Sequence, residues 1–138
     1  MVDSTPGELT ARRLLLYWLP VLAWAGLISG MSSMSVTPEP QAVREFPGWS
    51  LEAHFVLYLV LGALLYRAFA TTDISSRSKV LLPMVVGALY AISDEAHQRF
   101  VPGRQADIFD FLVDCAGLAA GTLLAFYCLA VRPGRKGR

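Results

Sequence analysis

The sequence predicts an all-α fold, a bundle of four transmembrane helices with both termini cytoplasmic. Three observations predict it. Of the 138 residues, 54% are apolar and only 17% charged, whereas soluble domains run near about a quarter charged. Four long apolar runs divide the chain, each almost free of charge in its middle. If those runs are helices and the N-terminus is inside, the inner side holds Arg12, Arg13, Arg67, Arg77, Lys79, Arg132, Arg135, Lys136 and Arg138, and the outer side holds Arg44, Arg99 and Arg104. Basic residues accumulate on the cytoplasmic side of membrane proteins, so this bias fixes the expected orientation.

The first run, Leu14 to Met31, is uncharged. It is longer than the apolar region of a signal peptide and ends in a weak cleavage site, so it is read as a retained helix with a kink point at Pro20. The second, Leu51 to Ala70, is apolar except near its ends. The third, Val80 to Gln98, begins oily with Pro83 near its entry and turns polar in its last turn and a half. The fourth, 107 to 131, does the reverse. Each must be a helix, because backbone groups in lipid have to pair within their own segment.

Between the runs, "SSMSVTPEPQAVREFPGWS" reads as an irregular loop with Trp49 near an interface. "TTDISSRSK" reads as a polar turn, and "RFVPGRQA" as a tight Pro-Gly turn. Residues 1–131 thus form one transmembrane domain, and 132–138 a basic cytoplasmic tail. There is no internal repeat. A net charge of +1 gives no pull toward nucleic acid. Cys115 and Cys128 lie about 20 Å apart on one helix, beyond disulfide reach. No metal-type cysteine spacing occurs.

The chemistry concentrates in "ISDEAHQRFVPGRQADIFDFLVD", from Ile92 to Asp114. Asp107 precedes the fourth apolar run and suits an N-cap. Asp110 falls in the first turn, where the helix dipole favours a negative charge. Asp114 is about 10 Å into the helix, and an aspartate near a bilayer centre costs about 2.5–3.5 kcal/mol. It needs a partner, and His54, Arg99 and Arg104 are the expected ones for the acidic group. Asp107, Asp110, Asp114, Gly117 and Gly121 share one face of the fourth helix. The third helix presents Gly87, Tyr90 or Ala91, Asp94 and His97 or Gln98, and the second presents His54, Tyr58, Gly62 and Tyr66. Helices two, three and four are thus expected to surround one outward-facing polar pocket. For single residues a plainer role stands beside this one: His54 orienting two helices, Tyr58 packing, Arg99 and Arg104 anchoring at the interface. Gly117 and Gly121 form a small-xxx-small pair, a contact that also offers a face for homo-oligomers.

The stretch "YAISDEAHQRFVPGRQADIFDFLVDCAGLAAG" resembles the signature of the VanZ-like membrane proteins. The matching positions are Asp94, Glu95, Gln98, Val101 to Arg104, Asp110, Asp114, Gly117 and Gly121. The earlier "HFVLYLVLGALL", with His54, Phe55, Tyr58 and Gly62, resembles the family's second-helix motif. One departure is clear: the family's common Asp-Lys pair, four and three residues before this histidine, is Ser50 and Leu51 here. Glu52 is nearby but out of register.

The resemblance implies a bacterial plasma-membrane protein of envelope biology. The family's name-giving member is associated with low-level resistance to teicoplanin, a glycopeptide that binds the D-alanyl-D-alanine end of cell-wall precursors. On this reading the pocket of His54, Tyr58, Asp94, Glu95, Gln98, Arg104, Asp110 and Asp114 binds a membrane lipid or lipid-linked cell-wall precursor, with Arg104 on a phosphate or carboxylate. The alternative is a membrane-embedded hydrolase or transferase on a lipid-linked substrate. There His54 with Asp94 or Asp114 would act as base and orienter, with room for a divalent ion on carboxylate oxygens. No catalytic residue, metal set or cofactor is assigned, because His97 lacks the preceding histidine of an HExxH motif. A proton-coupled transporter and a structural accessory protein complete the range.

Overall fold

The computed structural model describes residues 12–35, 51–104 and 106–130. Among them every regular element is helical. The Pro-rich loop with Trp49, Ser50, and the basic tail lie outside the described residues.

The first helix opens with a π-helical turn, Leu14–Trp18, and continues as α1, Leu19–Ser32. Its wide turn is closed by Leu19 N–H donating to Leu14 O. It lies immediately before Pro20, which has no N–H to return to Leu16 and whose ring crowds that carbonyl. The kink expected at proline is therefore taken up as one over-wide turn. Helix α2 spans Leu51–Phe69, α3 Ser76–Gln98 and α4 Ile108–Ala130.

Helix α3 starts four residues earlier than the apolar pattern predicts. Ser75 is its N-cap, its extended backbone turning the chain and its Oγ accepting from Ser78 N at 3.1 Å. A polar first turn capped in this way needs no apolar residue to be helical. Pro83 therefore sits in the helix interior, fully buried, rather than near the entry.

Contacts at the two ends give the path of the chain. At one end Trp18 meets Phe69 edge-to-face at 5.2 Å, Arg67 lies 5.1 Å over the Tyr17 ring, and Tyr66 meets Phe126 at 6.0 Å. At the other end Ser32, His54, Asp94 and Asp114 meet. The four helices therefore alternate in direction, and the first and last described residues lie at the same end. Leu14–Ser32, Leu51–Phe69 and Ile108–Leu129 are long and apolar enough to cross a membrane. Helix α3 carries charge at both ends and is not among them.

The buried core joins Val21 and Ile28 of α1, Tyr58, Leu61 and Leu65 of α2, Ala91 of α3 and Leu118 of α4. The outer surface is just as apolar. Leu22, Val56, Val85, Leu89, Leu112 and Leu124 are each more than half exposed, an apolar belt that suits lipid and not water.

Helices α2 and α4 make the closest pair. A Cβ on Gly117 would strike the Phe55 carbonyl, and one on Gly121 the Leu59 carbonyl. Both glycines thus serve backbone contact inside one chain.

Substituting Gly121 by Ala forces these two backbones apart and is expected to destabilise the bundle by about 1–3 kcal/mol. Gly26 of α1 has open space around it, so Gly26→Ala is expected to stay within about 0.5 kcal/mol of the parent. Reversible unfolding in detergent micelles measures both.

Candidate functional site

All eight residues expected from sequence lie toward one end of the bundle, and four helices contribute rather than three. They divide into two hydrogen-bonded groups and a rim.

The first group centres on Asp94, which is 4% exposed. Its Oδ2 accepts from Ser32 Oγ at 2.7 Å and from Gln98 Nε2 at 3.2 Å. Gln98 is one helical turn along α3, so it shares the face of Asp94. Ser32 belongs to the last turn of α1 and was not expected here. Two neutral donors thus meet this acid. The α1–α3 seam continues on both sides of this point. Tyr90 Oη donates to Ala25 O at 2.6 Å and lies 2.8 Å from Ser29 Oγ. Ser33 Oγ lies 3.0 Å from His97 Nε2. His97 is exposed, leaving Gln98 as the inward member of the pair the sequence left open.

The second group joins α2, α3 and α4. His54 Nδ1 lies 3.0 Å from Asp114 Oδ1, with Asp114 0% exposed. This is the partner that a carboxylate at such depth requires. Glu95, next in sequence to Asp94, points away from the α1 seam toward α4, and its Oε2 accepts from Asp107 N at 3.1 Å. Asp107 Oδ1 in turn accepts from Phe109 N at 2.9 Å, the N-cap geometry expected from its position. Tyr58, one turn beyond His54, is 1% exposed. Four buried atoms of this region have no hydrogen-bond partner: Tyr58 Oη, Glu95 Oε1, Gln98 Oε1 and Asp114 Oδ2.

The rim is formed by Arg104 and Asp110. Arg104 follows the Pro102-Gly103 turn, where Gly103 takes a φ of 82° that an L side chain rarely adopts. Its Nη2 donates to Met31 O at 3.3 Å, bringing the turn over the end of α1. Burial lowers the guanidinium pKa from its usual value, and the charges of Asp94, Asp110 and Glu95 oppose that effect; Arg104 remains a cation. Asp110 is half-buried in the first turn of α4. Arg99, just past α3, is exposed. It shares a side groove between α3 and α4 with Ile92, Glu95, Asp107, Ile108 and Phe111.

The sequence predicts an open outward pocket. Instead the inner residues His54, Asp94, Glu95, Gln98 and Asp114 are packed, each below 10% exposed. Their mutual hydrogen bonds and the Glu95–Asp107 tie draw the helix ends together. The open surface is the side groove, and Glu95 is the residue that faces both it and the buried group.

A family model described as VanZ/LLP1 matches residues 17–130. The chain belongs to the VanZ/LLP1 family. No curated protein and no solved structure matched it. The match runs through all four helices and contains every residue of both hydrogen-bonded groups, Ser32 included. Family membership and the three apolar helices together make this a VanZ-type membrane protein. Leu51 is exposed at the start of α2.

A hydrogen bond from a neutral hydroxyl to a buried carboxylate is worth more than one between neutral groups. Ser32→Ala is therefore expected to lower stability by about 1–2 kcal/mol. In an Asp94→Asn background the same change should cost about half as much, because the acceptor is no longer charged. A double-mutant cycle of unfolding in micelles reads the difference.

Proposed function

We propose that this VanZ/LLP1 protein crosses the bacterial plasma membrane four times with both termini cytoplasmic. On this reading it binds the headgroup of an envelope lipid or lipid-linked cell-wall precursor at its outer end, lowering susceptibility to teicoplanin. The fourth crossing is α3. Its 23 residues reach about 34 Å at 1.5 Å each, enough for a hydrocarbon core of about 30 Å. Leu81, Val85, Leu89 and Ile92 are exposed along it. The orientation rests on the basic residues: among the described ones, Arg12, Arg13, Arg67, Arg77 and Lys79 fall at the end where the first and last described residues lie, and Arg99 and Arg104 at the other.

One observation carries the binding reading: the side groove has a charged head and an apolar body. Arg99 stands beside Ile92, Ile108 and Phe111, and Arg104 is a second cation at the same end. A lipid lying alongside α3 and α4 would place its chain on the apolar residues and its phosphate or carboxylate near a guanidinium, which suits such anions with two parallel donors. Glu95 and Asp107, which also line the groove, would then discriminate among headgroups by accepting from amine or hydroxyl groups.

A specific observation favours a second reading, a hydrolase or transferase acting on a lipid-linked substrate. The His54–Asp114 contact has the form of a general base held by an orienting carboxylate.

Mass spectrometry of lipids retained by gently purified protein tests the first reading. Arg99→Ala/Arg104→Ala is expected to lose about tenfold of the anionic lipid held by the parent, a difference of about 1.4 kcal/mol, and to lose any protection against teicoplanin in a susceptible host. Equal retention and equal protection in the folded double variant would overturn it. The two readings separate at His54→Gln. Under the enzymatic reading this variant retains lipid but abolishes turnover of a labelled polyprenyl-phosphate substrate, whereas under the binding reading the parent itself gives no turnover.

A further inference from the structure

His54, Glu95 and Asp114 come from three different helices, and all three are buried. Each offers a ligand-type atom, and these atoms lie within 4.8 Å of one another. Proximity of acids is common and is no site by itself. What sets this group apart is how the two carboxylates are held. Asp114 engages His54 through Oδ1 and Glu95 engages Asp107 N–H through Oε2, so each carboxylate is anchored by one oxygen. The other oxygen of each, Asp114 Oδ2 and Glu95 Oε1, is buried without a hydrogen-bond partner. A buried acceptor left unsatisfied costs about 1–3 kcal/mol, and more if charged.

We propose that His54, Glu95 and Asp114 form a binding site for one divalent first-row transition ion, of the zinc, manganese or iron(II) class. Charge supports the assignment. With a neutral imidazole and both acids deprotonated the cluster would carry two negative charges, which a divalent cation would cancel where a monovalent one would not.

Ligand chemistry points the same way. One imidazole nitrogen with two carboxylates suits these metals better than calcium or magnesium, which take all-oxygen sets. The spacing is near what an ion needs, because ligand atoms around a centre at about 2.0–2.2 Å stand roughly 3–4 Å apart. His54 Nδ1 and Asp114 Oδ1 stand 3.0 Å apart in a hydrogen bond; an ion entering here would displace the proton between them and take the nitrogen, with Asp114 Oδ2 and Glu95 Oε1 as the open carboxylate oxygens. The Asp107 N–H on Glu95 is the outer hydrogen bond that orients a metal-binding carboxylate. Tyr58, with its buried unpartnered hydroxyl, lies on the same face of α2 one turn from His54. This site shares Glu95 with the side groove, but it is read by ion binding alone, so its failure and that of the lipid reading are distinguishable.

The test uses the full chain in detergent micelles, stripped with a chelator, desalted and titrated with Zn²⁺, Mn²⁺ and Co²⁺ alone. The parent is expected to retain a single ion after desalting and to melt at a higher temperature with it. Glu95→Gln and Asp114→Asn should each weaken binding by at least about tenfold. A Cys115→Ser/Cys128→Ser protein should bind as the parent does, excluding thiolate ligands. X-ray absorption of the zinc-loaded parent decides the matter even if both carboxylate variants fail to fold: imidazole scattering with oxygen neighbours supports the site. Its absence, failure of the parent to retain an ion, or undiminished binding in folded Glu95→Gln and Asp114→Asn overturns the proposal.

Discussion

Hydrocarbon offers a carboxylate neither water nor counter-ion, and Asp114 lies a third of the way along a membrane-crossing helix with no exposed surface. Its charge has to be met from within the bundle, and His54 of α2 meets it. That requirement sets the depth of α2 against α4. Once the two are held at that level, Gly117 and Gly121 come opposite the Phe55 and Leu59 carbonyls, and the backbones close together. The other acids follow the same logic with different neighbours. Asp94 is met from α1 through Ser32, and Glu95 from the start of α4 through the Asp107 amide. Each carboxylate thereby ties a different pair of elements.

Polarity is distributed unevenly over this end of the molecule. The interior is rich in acceptors, with Asp94, Glu95, Gln98 and Asp114 all buried, while Arg99 and Arg104 stand at the periphery. An anionic group is suited to the periphery and a cation to the interior. Glu95 is common to both, one side on the groove and the other toward His54 and Asp114. Occupancy of either place would be felt at the other through this one side chain.

Much of this was legible in the sequence because burial imposes a period. His54, Tyr58, Gly62 and Tyr66 are all buried along α2, and Gly87, Ala91, Asp94 and Gln98 along α3, as spacing of three and four requires. The Asp107 cap was legible for a local reason, since a cap depends only on the residues that follow it. Ser32 was not: a lone serine at the end of an oily run carries no periodic signal, and its importance arises only when α1 is laid against α3. The start of α3 was hidden because Ser76 to Lys79 are polar, and an apolar pattern cannot register a turn stabilised by its cap. Gly117 and Gly121 announced a close contact but not its partner. A small-xxx-small pair reads the same whether the facing helix belongs to the same chain or another. Packing of the inner acids was likewise invisible, because openness depends on how far the helix ends converge.

Leu118 is gripped from two sides. Its backbone lies against Gly62 of α2, and its side chain fills the space that a Cβ on Gly87 of α3 would occupy. Three helices thus share one socket, and the volume of the leucine sets the gap between them. Positions 62, 87 and 118 are consequently not free to vary one at a time. A bulkier residue at 87 demands a smaller one at 118, so these sites should drift in concert among related chains even though they lie on separate helices.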